Sequence, residues 1–206
     1  GATLSSIDVM PFNPTVGPGD TQQFSAIGTF DDASIHVLGA TVSDVASAGN
    51  VTCALQAGGA VKCWGNNFYG QLGNGTTTDS TAPVSVVGIS SATDIAVGPD
   101  HVCALLGSGA VSCWGQNNYG QLGDGTNTDS TVPVTVTGIS TATAVDAGNG
   151  HTCALLASGA VRCWGANFNG QLGNGTTTAS AAPVTVSGIT TATAVATGDF
   201  HSSALL

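Results

Sequence analysis

Residues 101–123 read HVCALLGSGAVSCWGQNNYGQLG. The same wording returns at 151–173 as HTCALLASGAVRCWGANFNGQLG and stands one period earlier, at 51–73, as VTCALQAGGAVKCWGNNFYGQLG. A further start, HSSALL, occupies residues 201–206. Each block runs on into a polar stretch (NGTTTDS, DGTNTDS, NGTTTAS) and then into APVSVVGI, VPVTVTGI or APVTVSGI, before Ala-Thr leads to the next block. The period is 50 residues without an insertion, and Asp44-Val45-Ala46 aligns with Asp94-Ile95-Ala96, so the first unit starts near Gly39. A fixed period of this length marks a repeat architecture, in which one supersecondary unit recurs and neighbours complete each other's core.

Each unit holds four short apolar runs separated by Gly, Asn or Pro; in the second these are Asp94–Val97, Val102–Leu106, Ala110–Trp114 and Val134–Val136. Runs this short, rich in Val and Thr and evenly punctuated by turn residues, are strands of blades or barrels rather than helices. Gly107-Ser108-Gly109 between the second and third runs is expected to be a tight hairpin.

The string CALxxxGAVxCWGxNxxGQLG and its period resemble the regulator-of-chromosome-condensation (RCC1) repeat of bacterial proteins, over about residues 39–206. The resemblance implies an all-β fold of RCC1-like β-propeller blades. Three complete four-stranded repeats (about 42–91, 92–141 and 142–191) would be followed by a partial fourth (192–206). The best-known members close seven blades, and this chain departs from them by holding fewer. Residues 1–38 stand apart as an N-terminal β-strand segment: Ile7–Pro11, VGPGDTQQFSAIGTF and Ile35–Leu38 read as three strands. Their wording is similar to the opening of bacterial immunoglobulin-like surface domains, which need about 100 residues to close a sandwich.

Composition sets the function classes. Charged residues are 7% against 42% hydrophobic, and the net charge is −10 with two basic residues, Lys62 and Arg162. A phosphate backbone needs a footprint of Lys and Arg, so nucleic acid is excluded as a partner. No apolar run approaches the roughly 20 residues that span a bilayer, so no membrane insertion is expected.

The six cysteines fall at 53/63, 103/113 and 153/163. Six allow 15 connectivities, but the repeat places each turn midway between two cysteines. Cys53–Cys63, Cys103–Cys113 and Cys153–Cys163 therefore face each other across their own hairpins. Ser203 stands where a fourth pair would begin. Disulfides imply an oxidising compartment, hence an extracellular or cell-surface protein. Zinc on His-x-Cys…Cys is disfavoured, because Val51 replaces the histidine where both cysteines remain and His201 persists beside Ser203. Calcium in the loops Asn74–Asp79, Asp124–Asp129 and Asn174–Ala179 is disfavoured because the third has no carboxylate. Trp64, Trp114 and Trp164 are expected between blades, each indole N–H on a backbone carbonyl.

No residue marks a nucleophile, an acid–base pair or a phosphate loop. The chain is therefore read as no enzyme and without a cofactor: an extracellular structural or cell-surface scaffold. The near-identity of QLGNGTTTDS, QLGDGTNTDS and QLGNGTTTAS suits a lattice. Its partners would be other copies of itself, with the N-terminal strands of one copy donated to the open fourth blade of the next, giving a filament or a ring. The alternative is a propeller module that binds a glycan or protein ligand.

Overall fold

The computed structural model describes residues 42–206 and, before them, the strands Leu4–Pro11 (β1), Phe24–Phe30 (β2) and Ile35–Val37 (β3). The sequence readings of residues 16–23, of Leu38 and of a repeat start near Gly39 lie outside the described residues. All described elements are strands. The first blade runs β4 (Val42–Ala48), β5 (Val51–Gln56), β6 (Val61–Gly65) and β7 (Ser80–Ser85). The second runs β8 (Ala92–Val97), β9 (His101–Leu106), β10 (Val111–Gly115) and β11 (Ser130–Thr135). The third runs β12 (Ala142–Ala147), β13 (His151–Leu156), β14 (Val161–Gly165) and β15 (Ser180–Thr185), and β16 (Ala194–Thr197) with β17 (Ser202–Leu205) form half of a fourth. Within each blade the strands pair antiparallel in chain order.

The first strands of successive blades pack on one another, β4 on β8, β8 on β12 and β12 on β16, which is the arrangement of propeller blades around an axis. The core lies between sheets. One cluster joins Val51, Leu55 and Leu72 of the first blade to Ile95, Val102 and Trp114 of the second. The next joins Leu105, Val111 and Leu122 to Val145, Ala154 and Trp164. Middle strands are accordingly buried on both faces: β9 is buried from His101 to Leu105 and β10 throughout, where a sheet with one wet face would alternate. The last strands β7, β11 and β15 are partly exposed. Their position explains a departure from the sequence reading. The fourth strand was expected to begin after proline, yet β11 runs from Ser130 through Pro133. Only one of its edges is paired, so the missing N–H removes no bond from the ladder.

Each hairpin is stapled. Cys53 lies opposite Cys63, Cys103 opposite Cys113 and Cys153 opposite Cys163. The Cα–Cα separations are 4.1, 4.0 and 4.1 Å, and all three pairs are disulfide-bonded. Register puts them there, because a turn centred between two residues ten apart makes them directly opposed partners. N-terminal to the blades, β1 pairs with β2 over its length, β2 pairs with β3, and among the described residues β2 meets β4 at Phe24↔Val42. Within one chain the N-terminal hairpin thus extends the first blade's sheet.

Two outcomes follow from this architecture. Non-reducing peptide mapping will recover three disulfide-linked peptides, each within one repeat; free thiols or bonds between repeats would contradict the register. Replacing Cys103 and Cys113 together by Ala will lower the unfolding free energy by roughly 2–3 kcal/mol, the scale expected for closing so short a loop, measured by urea denaturation.

Candidate recognition rim and blade interface

The loop from the third to the fourth strand of each blade is organised by one buried asparagine. The Asn67 side-chain amide donates to the carbonyls of Thr76 and Thr78, both at 3.0 Å, and its Oδ1 accepts from Leu72 N at 2.9 Å. Asn117 repeats the pattern with Thr126, Thr128 and Leu122, and Asn167 with Thr176, Thr178 and Leu172. The carboxylates of Asp79 and Asp129 accept the backbone N–H of Asn67 and Asn117, at 2.7 and 2.6 Å. Their acidic oxygens are turned into the loop. A buried primary amide can satisfy two donors and an acceptor, and here it ties one strand end to a loop eleven residues away. The sequence reading singled out the loop carboxylates and missed these asparagines. The available signal was their identity at positions 67, 117 and 167.

Between blades, Trp114 Nε1–H donates to the Gln71 carbonyl and Trp164 Nε1–H to the Gln121 carbonyl, both at 2.9 Å, and both indoles are fully buried. A Cβ on Gly73 or Gly123 would stand 2.7 Å from the indole nitrogen, so the Gln-Leu-Gly run keeps a glycine where the ring lies flat. Trp64 is only half-buried, against Val42 and Ala54, with no equivalent carbonyl in the described residues before it. Beyond Gln171 and Gly173 the corresponding slot is a cleft of about 400 Å³, bordered by Val186, Ile189, Val195 and Phe200.

Histidine completes the interface. Thr152 Oγ1–H donates to the Gln121 carbonyl at 3.1 Å, so Thr152 receives the Nε2–H of His101 at 2.9 Å. Ser202 bonds Gln171 and His151 in the same way, at 2.8 and 3.0 Å. At the first interface the histidine is Val51 and the hydroxyl residue is Val102, both buried in one apolar cluster. The third member follows suit. A Cβ on Gly98 would lie 2.6 Å from the His101 ring, and where the histidine is Val51 this position is Ala48. Glycine, histidine and hydroxyl are therefore exchanged as a set for alanine, valine and valine. Burial, and to a lesser degree His151, push the His101 pKa down to about 3, and burial first of all lowers that of His151. On the first strands, burial and then Asp44 raise the carboxyl of Asp94 above the usual range.

The loops nearest solvent carry the aromatic residues. Phe68, Tyr119 and Phe168 are exposed, and Tyr119 of the second blade meets Phe168 of the third edge-to-face, with centroids 5.4 Å apart. Gln71 and Gln121 fix the backbone beneath them, each Oε1 accepting the N–H of Tyr69 or Tyr119 at 2.8 and 2.9 Å. Comparing the three loops separates two kinds of position. Asn67, Gly70-Gln71-Leu72-Gly73 and Gly75-Thr76 recur unchanged and are inward or bonded, whereas the exposed position 68/118/168 changes (Phe, Asn, Phe). Loop uniformity thus has its cause in folding, which removes the ground for reading it as the mark of a lattice.

Among families, the model described as regulator of chromosome condensation (RCC1) repeat matches residues 59–105, 108–155 and 158–205. A second RCC1 repeat model matches 42–71, 92–121 and 142–171. No curated protein matches the chain. Among solved structures, human WBSCR16 is similar at 26% identity and a TM-score of 0.75, over 90% of this chain and 53% of its own. The yeast RCC1 protein Prp20, in its complex with Kap60, is similar at 21% identity and a TM-score of 0.71, over 88% of this chain and 49% of its own. Prp20p of Saccharomyces cerevisiae, described with its binding properties to Gsp1p and histones, is similar at 19% identity and a TM-score of 0.70. The chain spans about half the length of these structures.

The interface gives a signed pH dependence. The folded-state pKa of His101 lies below the ordinary 6.5, so its contribution is present above that value and is lost as pH falls from 6.5 towards about 3. Thr152→Val alone strands the buried His101 N–H and costs about 1–3 kcal/mol. His101→Val with Thr152→Val, which copies the first interface, will recover most of that loss and flatten the acid limb of a stability–pH curve. A double variant no better than the single would refute the exchange. Separately, Asn117→Ala will cost about 3 kcal/mol by orphaning two carbonyls and an N–H, read by thermal denaturation.

Proposed function

The chain belongs to the regulator of chromosome condensation (RCC1) repeat family, and from that footing we propose that it is an exported scaffold without catalytic activity, whose blades hold one loop rim out for recognition. The observation that carries the reading is the division of the loops. An invariant, internally bonded frame built on Asn67, Asn117 and Asn167 supports exposed positions that differ from blade to blade. Recognition surfaces are made this way, with variable side chains on a rigid support. The yeast relative's described binding to Gsp1p and histones supports a binding role for propellers of this family. Those partners are not carried over, because this chain covers only 52% of that protein. Three buried disulfides support an oxidising, extracellular setting. Among the described residues no helix is long and apolar enough to cross a membrane.

Self-association is a second reading, favoured by the N-terminal hairpin, which extends the sheet of the first blade. Unpaired N–H and C=O groups on an open strand recruit another strand. In this reading the N-terminal hairpin of one copy pairs with a sheet edge of the next. A head-to-tail contact of this kind builds a filament, or a ring if it closes.

Two experiments test these readings. Fractionation of the source cells, with thiol labelling, will find the protein outside the cytoplasm with no titratable thiol; a reduced cytoplasmic pool would overturn export. Deleting residues 1–38 will shrink the particles seen by light scattering; unchanged assembly, or a monomeric full chain, would overturn donation.

A further inference from the structure

Every phenylalanine and tyrosine of residues 42–206, namely Phe68, Tyr69, Tyr119, Phe168 and Phe200, lies at one end of the blades. In an antiparallel sheet of four strands, the loops joining first to second and third to fourth emerge at the same end. Backbone bonds from Asn66 to Asn50, Gln116 to Asp100 and Ala166 to Gly150 tie those two loops together in each complete blade. The other end, made of turns such as Gly107-Ser108-Gly109 and Gly138-Ile139-Ser140-Thr141, has no aromatic residue from 42–206. The core takes none of the five, being built from Val, Leu, Ile, Ala, Cys and Trp. Phe68, Phe168, Phe200 and Tyr119 are 70, 63, 57 and 42% exposed, so their apolar area is offered to solvent. Aromatic rings gathered on one exposed rim mark an interaction site.

We propose that this rim is a binding site for a neutral glycan, centred on the Tyr119–Phe168 pair; the proposal rests on the recognition reading above and names its ligand. A pyranose presents an apolar face of C–H groups and a girdle of hydroxyls. It therefore needs a ring to stack on and acceptors and amides beside it. Tyr119 spans two blades, its ring 3.2 Å from where a Cβ on Gly150 would stand, and its edge-to-face contact with Phe168 makes a step rather than a flat patch. Exposed amides of Asn118 and Asn169 flank the rings, and Asp100 and Asp199 stand on the adjoining loops. Lys62 and Arg162, the only basic side chains of the protein, stand near the opposite end, one residue into β6 and β14. An end with carboxylates and no cation repels sulfated or uronic polymers as it repels nucleic acid, while hydroxyls can donate to it. Aromatics recur in successive blades, which fits an oligosaccharide better than one sugar.

The test is an array of neutral glycans (β-glucan, mannan, galactan and chitin fragments) and anionic ones (heparin, hyaluronan, polygalacturonate), probed with the 206-residue chain. Binding confined to neutral glycans is expected, insensitive to salt, and weakened at least tenfold by either Tyr119→Ala or Phe168→Ala. Val87→Ser, on an exposed side chain outside the rim, is expected to leave it unchanged, and all three variants should keep the parent's thermal midpoint. Binding only to anionic polymers, or neutral-glycan binding that both rim substitutions leave intact, would overturn the proposal. An array with no binder would overturn the glycan assignment too, while the export reading stands or falls on cell fractionation alone.

Discussion

The middle strands of each blade are buried on both faces, and no blade can therefore be stable without its neighbours. In β9 the buried run from His101 to Leu105 has apolar side chains pointing both ways, so half of its surface must be covered by the blade before and half by the blade after. Hydrophobic clusters accordingly straddle sheets rather than fill them. Stability in such an object adds blade by blade with a term for each interface. The disulfides act on a different level. They cross-link the middle pair of strands inside each blade and hold the register that decides which residues reach the neighbour.

The interfaces use two interchangeable solutions to the same burial problem. Between the second and third blades a glycine admits a histidine ring, and the histidine's N–H is passed through Thr152 to the Gln121 carbonyl. Between the first and second, Val51 and Val102 meet in an apolar contact beside Ala48. A half-exchanged set would bury a polar atom without a partner, which costs more than either complete set. This is why histidine and cysteine vary independently along the repeats while histidine and the facing hydroxyl vary together.

The loops obey a similar division. Residues that repeat without change are those whose side chains close the loop on itself, Asn117 and Gln121 among them. Position 68/118/168, which changes from Phe to Asn to Phe, faces solvent in all three blades. Near-identity of loop sequences had favoured a lattice; once the asparagine frame is located, the identity is accounted for by folding and the differences become the informative part. The exposed rings of Phe68, Tyr119 and Phe168 then stand out, since a chain so poor in aromatics has left them out of its core.

What the sequence determined by itself is local. The 50-residue period is legible by comparing the chain with itself, and the strand lengths, the hairpin turns and the opposition of Cys103 to Cys113 depend on residues within about ten positions of each other. A turn centre fixes a register, and a register fixes its pairs. Pro133 misled that reading, because whether proline ends a strand depends on which edge is paired. Only the tertiary structure decided which repeated residues meet across blades. Trp114 finds Gln71 at a separation of 43 residues and His101 finds Thr152 at 51. The structure also decided that β2 lies beside β4 and which loop positions face outward. Repetition shows that a position matters and is silent on whether it matters for packing or for a ligand, since both demands can preserve or vary a residue. The direction in which a side chain points separates them, and that direction exists only once the blades are assembled.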